Sequence, residues 1–246
     1  MRIGINGIGG KMGKRIAVLA VEEKDVTIRA ALEAPSSPLI GKKLSEVIER
    51  SSEDIVVSSS LEEVCVDIDC LIDFTSVESS LSCLDVCRKN NISMVIGTTG
   101  FTKEEEEKIR LGAEEIPIVF SPNMAVGVNV LFDIVRRAAH VLNNDFGIKI
   151  DETHHVHKKD SPSGTAKMIQ RVIEDVTGEM ISVKAERKGE VLGNHGIIFE
   201  NEYEKLELRH NAKSRDVFAA GAIKAAKFVF GKNPGLFSMR DVLGLD

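Results

Sequence analysis

Three histidines and two lysines lie close together in the middle of the chain. They are His154, His155, His157, Lys158 and Lys159. Histidine changes its charge near neutral pH, and a neighbouring lysine can hold an anion or donate a proton. This combination of residue types predicts a site that performs acid–base chemistry on a negatively charged small molecule.

A helix start is predicted directly after this cluster, at Ser163-Gly164-Thr165. The free N–H groups at a helix start attract anions, and Gly164 lets a ligand approach its backbone closely. Ser163 is also a common N-terminal capping residue, and both roles can hold at once. We therefore expect a carboxylate-binding helix start beside the histidines.

An extended backbone would sort the histidines onto two faces, because successive side chains of a strand alternate. His155 and His157 would then share one face, and His154 would share the other with Glu152. Two histidines at this spacing can also bind zinc, with Asp151 or Glu152 as a further ligand. The acid–base interpretation is favoured and no metal is expected, but a zinc site and a solvated loop without a role stay open.

A glycine-rich turn near the N-terminus is the second candidate for chemistry. A short apolar strand at residues 3–5 enters a turn containing Gly7, Gly9 and Gly10, and a helical pattern follows. Such a turn lets a pyrophosphate approach the main chain at a helix N-terminus. A second strand then ends at Glu33, where a carboxylate can accept hydrogen bonds from an adenosine ribose.

The glycine spacing departs from the usual G-x-G-x-x-G pattern of dinucleotide sites. Met12 stands where a glycine is expected, and the glycines fit G-x-x-G-x-x-G better, as Gly7, Gly10 and Gly13. The order of strand, turn, helix, strand and acid still favours a nucleotide site. The alternative is an ordinary strand–helix turn that binds nothing.

The elements around these residues indicate an α/β fold. Strands alternate with helices and are predicted at residues 3–5, 26–32, 55–57, 69–74, 92–96 and 116–120. Several of them are continuously apolar, which is typical of a parallel sheet covered on both faces. Ligands of such sheets bind beyond the carboxyl ends of the strands.

The pattern changes in the second half of the chain. Helices are predicted at residues 125–142, 163–176 and 217–230, and extended segments at 146–154, 181–187, 196–200 and 205–210. A block of strands after a helix indicates a separate α+β domain. The last helix could return to cover the first sheet.

Composition excludes several classes of function. The chain has 246 residues, 43% of them hydrophobic, and a net charge of −6 without a long basic stretch, so no nucleic-acid partner is expected. No apolar run approaches the roughly 20 residues that span a bilayer, and no signal peptide is visible. The four cysteines lack paired zinc spacing and are expected to be buried thiols in a reducing cytoplasm.

The motifs together resemble the 4-hydroxy-tetrahydrodipicolinate reductase family, also called dihydrodipicolinate reductases. The resemblance covers nearly the whole chain. It rests on residues 7–13, Asp73-Phe74-Thr75, residues 97–101, Asn123 with residues 126–129, residues 154–165, and residues 235–237 with 239–243.

This resemblance implies a Rossmann-type parallel-sheet nucleotide domain at residues 1–125 and 216–246. It also implies an α+β substrate domain with a mixed sheet at residues 126–215, through which a homotetramer would form. The implied reaction is NAD(P)H-dependent hydride transfer to a cyclic imine dicarboxylate, giving tetrahydrodipicolinate in lysine and diaminopimelate biosynthesis.

The resemblance also implies roles for individual residues. His154 would be the catalytic acid/base and Lys158 a second proton donor, while His155, Gly164 and Thr165 would contact the substrate. The implied cofactor-binding residues are Gly7, Ile8, Gly9, Gly10, Lys11, Met12, Glu33, Gly97, Thr98, Thr99, Ser121, Pro122, Asn123 and Met124.

Two departures from the family pattern affect these expectations. Many members have Arg after the ribose-binding acid, whereas this chain has Ala34, so NADH should be preferred with residual use of NADPH. The stretch at residues 176–187 is also short, which affects the expected oligomer interface and pocket rim. Another two-domain oxidoreductase such as a sugar dehydrogenase, a non-catalytic NAD(H) sensor, and a zinc hydrolase remain as alternatives.

Overall fold

A computed structural model describes residues 1–49 and 54–245. Within them the chain forms two compact units. Unit 1 comprises Met1–Ala125 together with Phe218–Gly244, and unit 2 comprises Val126–Val217. Unit 2 is therefore inserted into the sequence of unit 1.

Unit 1 contains a seven-stranded sheet in which every described pairing is parallel. Its strands are β1 (Arg2–Asn6), β2 (Thr27–Leu32), β3 (Val57–Ser58), β4 (Cys70–Asp73), β5 (Ser93–Ile96), β6 (Pro117–Phe120) and β11 (Gly235–Phe237). Their order is β11-β6-β5-β4-β1-β2-β3. Apart from β11 this is the Rossmann order, in which the chain reverses direction across the sheet between β1 and β4.

Helices cover both faces of this sheet. They are α1 (Lys11–Glu22), α2 (Leu44–Val47), α3 (Leu61–Val64), α4 (Val77–Lys89), α5 (Lys103–Gly112), α8 (Asp216–Val229) and α9 (Met239–Leu243), with a 3-10 turn at Cys65–Asp67. Neighbouring residues of β4 enter different cores, since Ile72 packs into one hydrophobic cluster and Leu71 into the other. Burial on both faces explains why these strands are continuously apolar.

Unit 2 is a four-stranded mixed sheet with two helices on one face. The helices are α6 (Val126–Leu142) and α7 (Gly164–Thr177), and the strands are β7 (Gly147–His154), β8 (Val183–Arg187), β9 (Asn194–Glu200) and β10 (Lys205–Asn211). The order is β10-β9-β7-β8, with β7 parallel to β8 and antiparallel to β9. Leu131, Val135, Ile169, Ile173 and Phe199 form part of the core between helices and sheet.

The structure differs from the predicted elements mainly in short segments. The third strand, predicted at residues 55–57, lies at Val57–Ser58, and β11, α2 and α9 were not predicted. The four cysteines are free, and three of them are buried. In the part of the chain that the structure describes, no helix combines the length and apolar character needed to cross a bilayer.

Candidate functional site

The predicted cofactor-binding residues follow four strands of unit 1. Residues 7–10 come after β1, Glu33 after β2, residues 97–99 after β5, and residues 121–124 after β6. Because these strands are parallel, their carboxyl ends lie along one edge of the sheet. The structure thus brings the four segments to the edge where ligands of such sheets bind.

Close backbone packing explains the glycines of the first turn. Gly7 has φ +84°, a conformation that favours glycine, and a Cβ on Gly13 would lie 2.1 Å from the carbonyl oxygen of Gly7. Helix α1 begins at Lys11, and its N-cap, Gly10, has no side chain to cap the first amides. The start of α1 is therefore built to receive an anion such as a phosphate.

Glu33 is held in place by the glycine turn itself. Its carboxylate accepts hydrogen bonds from the N–H groups of Gly9 (2.7 Å) and Ala34 (3.1 Å). It lines a cavity of about 670 Å³ together with Glu62 and Glu78, and the described lining contains no lysine or arginine. This cavity is unfavourable for an additional phosphate because three carboxylates face it.

A fully buried carboxylate, Asp73, joins the ends of three neighbouring strands. It accepts hydrogen bonds from the hydroxyls of Thr75, Ser80 and Thr98 at 2.8–3.1 Å and from the amide of Asn6 at 2.9 Å. The predicted cofactor residue Thr98 is itself only 4% exposed. Its hydroxyl accepts from the Thr75 N–H at 2.9 Å and donates to Asp73, so its side chain fixes the loop.

The segment after β6 packs tightly against helix α8. The carbonyl oxygen of Asn123 accepts from the Ser121 hydroxyl at 3.0 Å, which folds this segment into a turn. A Cβ on Gly221 of α8 would lie 1.7 Å from the carbonyl oxygen of Met124. Gly221 thus positions a predicted cofactor segment, and nothing in its sequence neighbourhood distinguished it.

The two predicted catalytic residues lie in unit 2, and His154 belongs to a buried charged cluster. Glu152 and His154 occupy the inner face of β7, with exposed fractions of 1% and 7%. One carboxylate oxygen of Glu152, Oε1, accepts from Arg187 Nη1 (3.0 Å) and Ser163 N (3.2 Å). The other oxygen, Oε2, contacts Nδ1 of His154. Sequence analysis did not predict Arg187 as a site residue, and it considered Glu152 only as a metal ligand.

The charges of this cluster follow from burial and from its neighbours. Burial opposes ionisation of Glu152, but Arg187, His154 and the Ser163 N–H together hold its pKa below the ordinary value. Burial lowers the pKa of His154, and Glu152 opposes that shift. Near neutral pH, Glu152 is therefore an ionised carboxylate and His154 beside it is a neutral imidazole.

A second imidazole, His195 on β9, packs edge-on against His154, with 5.1 Å between ring centroids. Its Nε2 atom lies 3.2 Å from the Ser163 hydroxyl oxygen, which also accepts from the Ala166 N–H as the N-cap of α7. Burial lowers the pKa of His195 to about 4, with His154 adding to the shift. His195 is thus neutral at physiological pH, and it too was missed by sequence analysis.

The loop after β7 carries Lys158. Its ammonium lies 2.9 Å from the Asp160 carboxylate, and Arg187 donates to the Asp160 carbonyl oxygen at 2.6 Å. The electrostatic effect of Lys158 reaches His154, whose pKa it helps to lower. Gly164, at the start of α7, has no atom within 4 Å of where a Cβ would stand, so its backbone is approachable.

The predicted alternation of the histidines is right only as far as His154. Glu152 and His154 share the inner face of β7 as expected, but the strand ends at His154. His155 and His157 lie in the turn that follows, where the Lys158 N–H donates to the His155 carbonyl oxygen at 3.1 Å. The prediction that they share a strand face is wrong, because no extended backbone continues there.

The structure also changes the set of residues that could bind a zinc ion. Among the described residues, the side chains near enough to share an ion are Glu152, His154 and His195, and not the predicted pair His155 and His157. Arg187 is bonded to Glu152, and the positive charge of Lys158 acts on His154. These two cations would repel a metal ion, so the geometry favours a hydrogen-bonded cluster.

Comparison with known proteins identifies the family. Residues 1–124 match the model of the dihydrodipicolinate reductase N-terminus, and residues 127–243 match that of the dihydrodipicolinate reductase C-terminus. The chain belongs to the dihydrodipicolinate reductase family. This confirms the predicted family and the interpretation of the chain as an NAD(P)H-dependent oxidoreductase.

Individual relatives align with this chain over nearly their full lengths. Two proteins named 4-hydroxy-tetrahydrodipicolinate reductase are similar to this chain. The one from Syntrophotalea carbinolica is 38% identical and covers 100% of this chain and 99% of its own. The one from Dechloromonas aromatica is 40% identical and covers 99% and 98%.

Solved structures confirm the predicted α/β architecture. A dipicolinate-bound dihydrodipicolinate reductase from Paenisporosarcina sp. TG-14 superposes with a TM-score of 0.81 at 25% identity, covering 97% of each chain. An amine dehydrogenase from Mycobacterium smegmatis gives a TM-score of 0.66 at 12% identity, covering 97% of this chain and 95% of its own. The second comparison shows a shared fold only.

Proposed function

We propose that this chain is a 4-hydroxy-tetrahydrodipicolinate reductase. It reduces a cyclic imine dicarboxylate to tetrahydrodipicolinate with a nicotinamide nucleotide, in lysine and diaminopimelate biosynthesis. The observation that carries the proposal is the full-length family match combined with a buried Glu152–His154 pair, Lys158 and a helix start with an approachable Gly164 backbone in one unit. We assign the nucleotide to unit 1 and the substrate to unit 2.

The residues of unit 1 fit a dinucleotide. The uncapped start of α1 at Lys11 and Met12 would hold the pyrophosphate, and Glu33 would accept from the ribose hydroxyls. The remaining contacts come from the other predicted residues, Gly7, Ile8, Gly9, Gly10, Gly97, Thr98, Thr99, Ser121, Pro122, Asn123 and Met124. When bound, the nicotinamide supplies the hydride.

The residues of unit 2 supply protons and hold the substrate. Hydride addition to a conjugated imine places negative charge on the carbon–nitrogen system, which a positioned acid must neutralise. His154 exchanges that proton, and Lys158 is the second donor. His155 and the α7 start at Gly164 and Thr165 hold the two substrate carboxylates, since backbone N–H groups there favour anions.

The kinetic effects of Lys158→Ala and Thr165→Ala should separate proton donation from substrate binding. Loss of the ammonium removes a donor used in the transition state, so kcat should fall by about 10²-fold or more. Loss of the Thr165 hydroxyl removes binding shared by ground and transition states, so mainly KM should rise, by about tenfold. Steady-state kinetics on both variants measure the split. Small and equal changes in kcat and KM for both variants would reject these roles.

Cofactor preference should follow the carboxylates of the unit 1 cavity. We expect NADH to give the higher kcat/KM, because Glu33, Glu62 and Glu78 face the cavity and Ala34 offers no cation for a 2′-phosphate. Ala34→Arg should raise kcat/KM for NADPH by about tenfold or more through a charge-assisted contact. A wild-type enzyme with the lower KM for NADPH would contradict this assignment, and Ala34→Gln serves as an uncharged control of similar length.

One assay tests the proposed reaction directly. The substrate is made in situ by a dihydrodipicolinate synthase, and the oxidation of NADH is followed by its absorbance. The proposal predicts oxidation that depends on both the synthase and this protein. NADH oxidation with sugars but not with this substrate would favour another oxidoreductase, and tight NADH binding without turnover would favour a sensor.

We also propose a homotetramer formed through unit 2. Helices α6 and α7 cover one face of the mixed sheet, while side chains on its other face are exposed, including Lys149, Lys184 and Glu186. This face carries a shallow depression of about 430 Å³. Equilibrium sedimentation should give the mass of four chains, and a monomer at micromolar concentration would exclude the assembly.

A further inference from the structure

We propose that Glu152 is a positioning residue that fixes the tautomer of His154, so that Nδ1 carries the hydrogen and Nε2 exchanges protons with the substrate. The role given to Nε2 rests on the proposed function. The tautomer itself does not, because it follows from contacts inside unit 2.

The hydrogen bonds of Glu152 leave one arrangement for the imidazole. Oε1 is occupied by two donors, Arg187 Nη1 and Ser163 N, and Oε2 faces Nδ1 of His154. An ionised carboxylate can only accept hydrogen bonds, so the nitrogen against it must be an N–H. A neutral imidazole has a single N–H, and Nε2 is therefore left as the acceptor.

Gly193 leaves space at the opposite side of the ring. A Cβ at this position would lie 2.9 Å from Nε2 of His154 and 3.4 Å from Cδ2. Any residue other than glycine would press against the nitrogen that we assign to proton exchange. Glycine at this position therefore keeps a side chain away from Nε2, whereas Nδ1 is buried against Glu152.

The neighbouring charges give Glu152 a second effect. Burial, Lys158 and Arg187 all lower the pKa of His154, and Glu152 is the group that raises it. His195 faces the ring as a neutral partner, and Asp160 is paired with Lys158. Removing the charge of Glu152 should lower the pKa of His154 further and make its protonated form rarer.

Glu152→Gln is the decisive variant. The amide oxygen has to remain at the Oε1 position, where Arg187 and Ser163 N both donate. The amide NH₂ is thereby placed against Nδ1 of His154, where it donates and forces the imidazole hydrogen to Nε2. A wrong tautomer of this kind has large kinetic effects in a serine-protease triad, and we expect kcat to fall by about 10²-fold or more.

The tautomer is read by two-bond ¹H–¹⁵N correlation spectra of the full-length protein labelled with ¹⁵N-histidine. The wild type should show a protonated Nδ1 at His154, and Glu152→Gln a protonated Nε2. The limb of the kcat–pH profile assigned to His154 should move to lower pH, while the Kd of NADH stays within twofold. Loss of stability alone would not move the tautomer or the pH profile.

Asp175→Asn is the control. Asp175 is exposed on α7 and lies outside the buried cluster, so its loss of charge should leave the His154 spectrum and kcat unchanged. A wild-type His154 protonated at Nε2, or a Glu152→Gln enzyme with unchanged tautomer and kcat, would overturn the inference. If the Glu152→Gln variant does not fold, the tautomer of His154 in the wild-type spectrum alone tests the inference. If the tautomer switches but the wild-type protein has no reductase activity, the positioning role of Glu152 would be supported and the proposed reaction would be overturned.

Discussion

His154→Ala should lower kcat by about 10²–10⁴-fold, the usual contribution of a positioned acid or base. The protonated form of His154 supplies the proton that follows hydride addition, and its ring is held against Oε2 of Glu152. The KM for substrate should change much less, because the assigned carboxylate contacts at His155, Gly164 and Thr165 remain. Steady-state kinetics in the synthase-coupled assay measure both quantities.

His140→Ala is the control for this experiment. His140 is exposed on α6 and outside the buried cluster, so its removal should leave kcat unchanged. Because His154→Ala also removes the partner of Glu152 Oε2, its melting temperature and NADH affinity should be measured in parallel. A folded, NADH-binding His154→Ala enzyme with kcat within threefold of the wild type would remove His154 from the reaction.

Acidification should destabilise the wild-type protein more than His195→Gln. The pKa of His195 is about 4 in the folded protein, against an ordinary 6.5. Between these values the unfolded chain binds a proton that the folded chain does not, so the free energy of unfolding falls as pH drops from about 6.5 to 4. The shift corresponds to about 3 kcal/mol.

Urea unfolding at pH 7 and at pH 4 measures how much the free energy of unfolding falls with pH in the wild type and in His195→Gln. The wild type should lose about 3 kcal/mol more than His195→Gln across this range, because glutamine does not titrate but can still pair with the Ser163 hydroxyl. His140→Gln should behave as the wild type. Parallel losses in wild type and His195→Gln would show that His195 does not titrate as its burial implies.

The sequence predicted most of the parallel sheet because most of its strands are continuously apolar and are separated by clear helical patterns. Strand β11, with three residues, and helix α9, with five, carry too little periodicity to be recognised. The place of β11 in the fold depends on pairing with β6, which is remote in the chain, and that of α9 on burying Met239 and Val242 in the core of unit 1. Short elements of this kind are defined by tertiary contacts and not by their own residues.

The candidate site was predicted only where its residues are neighbours in sequence. His154, Lys158 and Gly164 belong to one continuous segment, so their types and spacing could be read together. Arg187 lies 35 residues from Glu152, and His195 lies 32 residues from Ser163. They reach the cluster through the pairing of β7 with β8 and β9, a register that a single sequence does not disclose.

The insertion of unit 2 into unit 1 also has a consequence for biosynthesis. The ribosome completes β6 before unit 2 and delivers β11 only afterwards, so the nascent sheet keeps an open edge at β6 while a whole second unit is made. Exposed strand edges can pair with other chains. A polypeptide that terminates prematurely after unit 2 should therefore aggregate more readily than the whole chain, in which the short strand β11 pairs with the edge of β6.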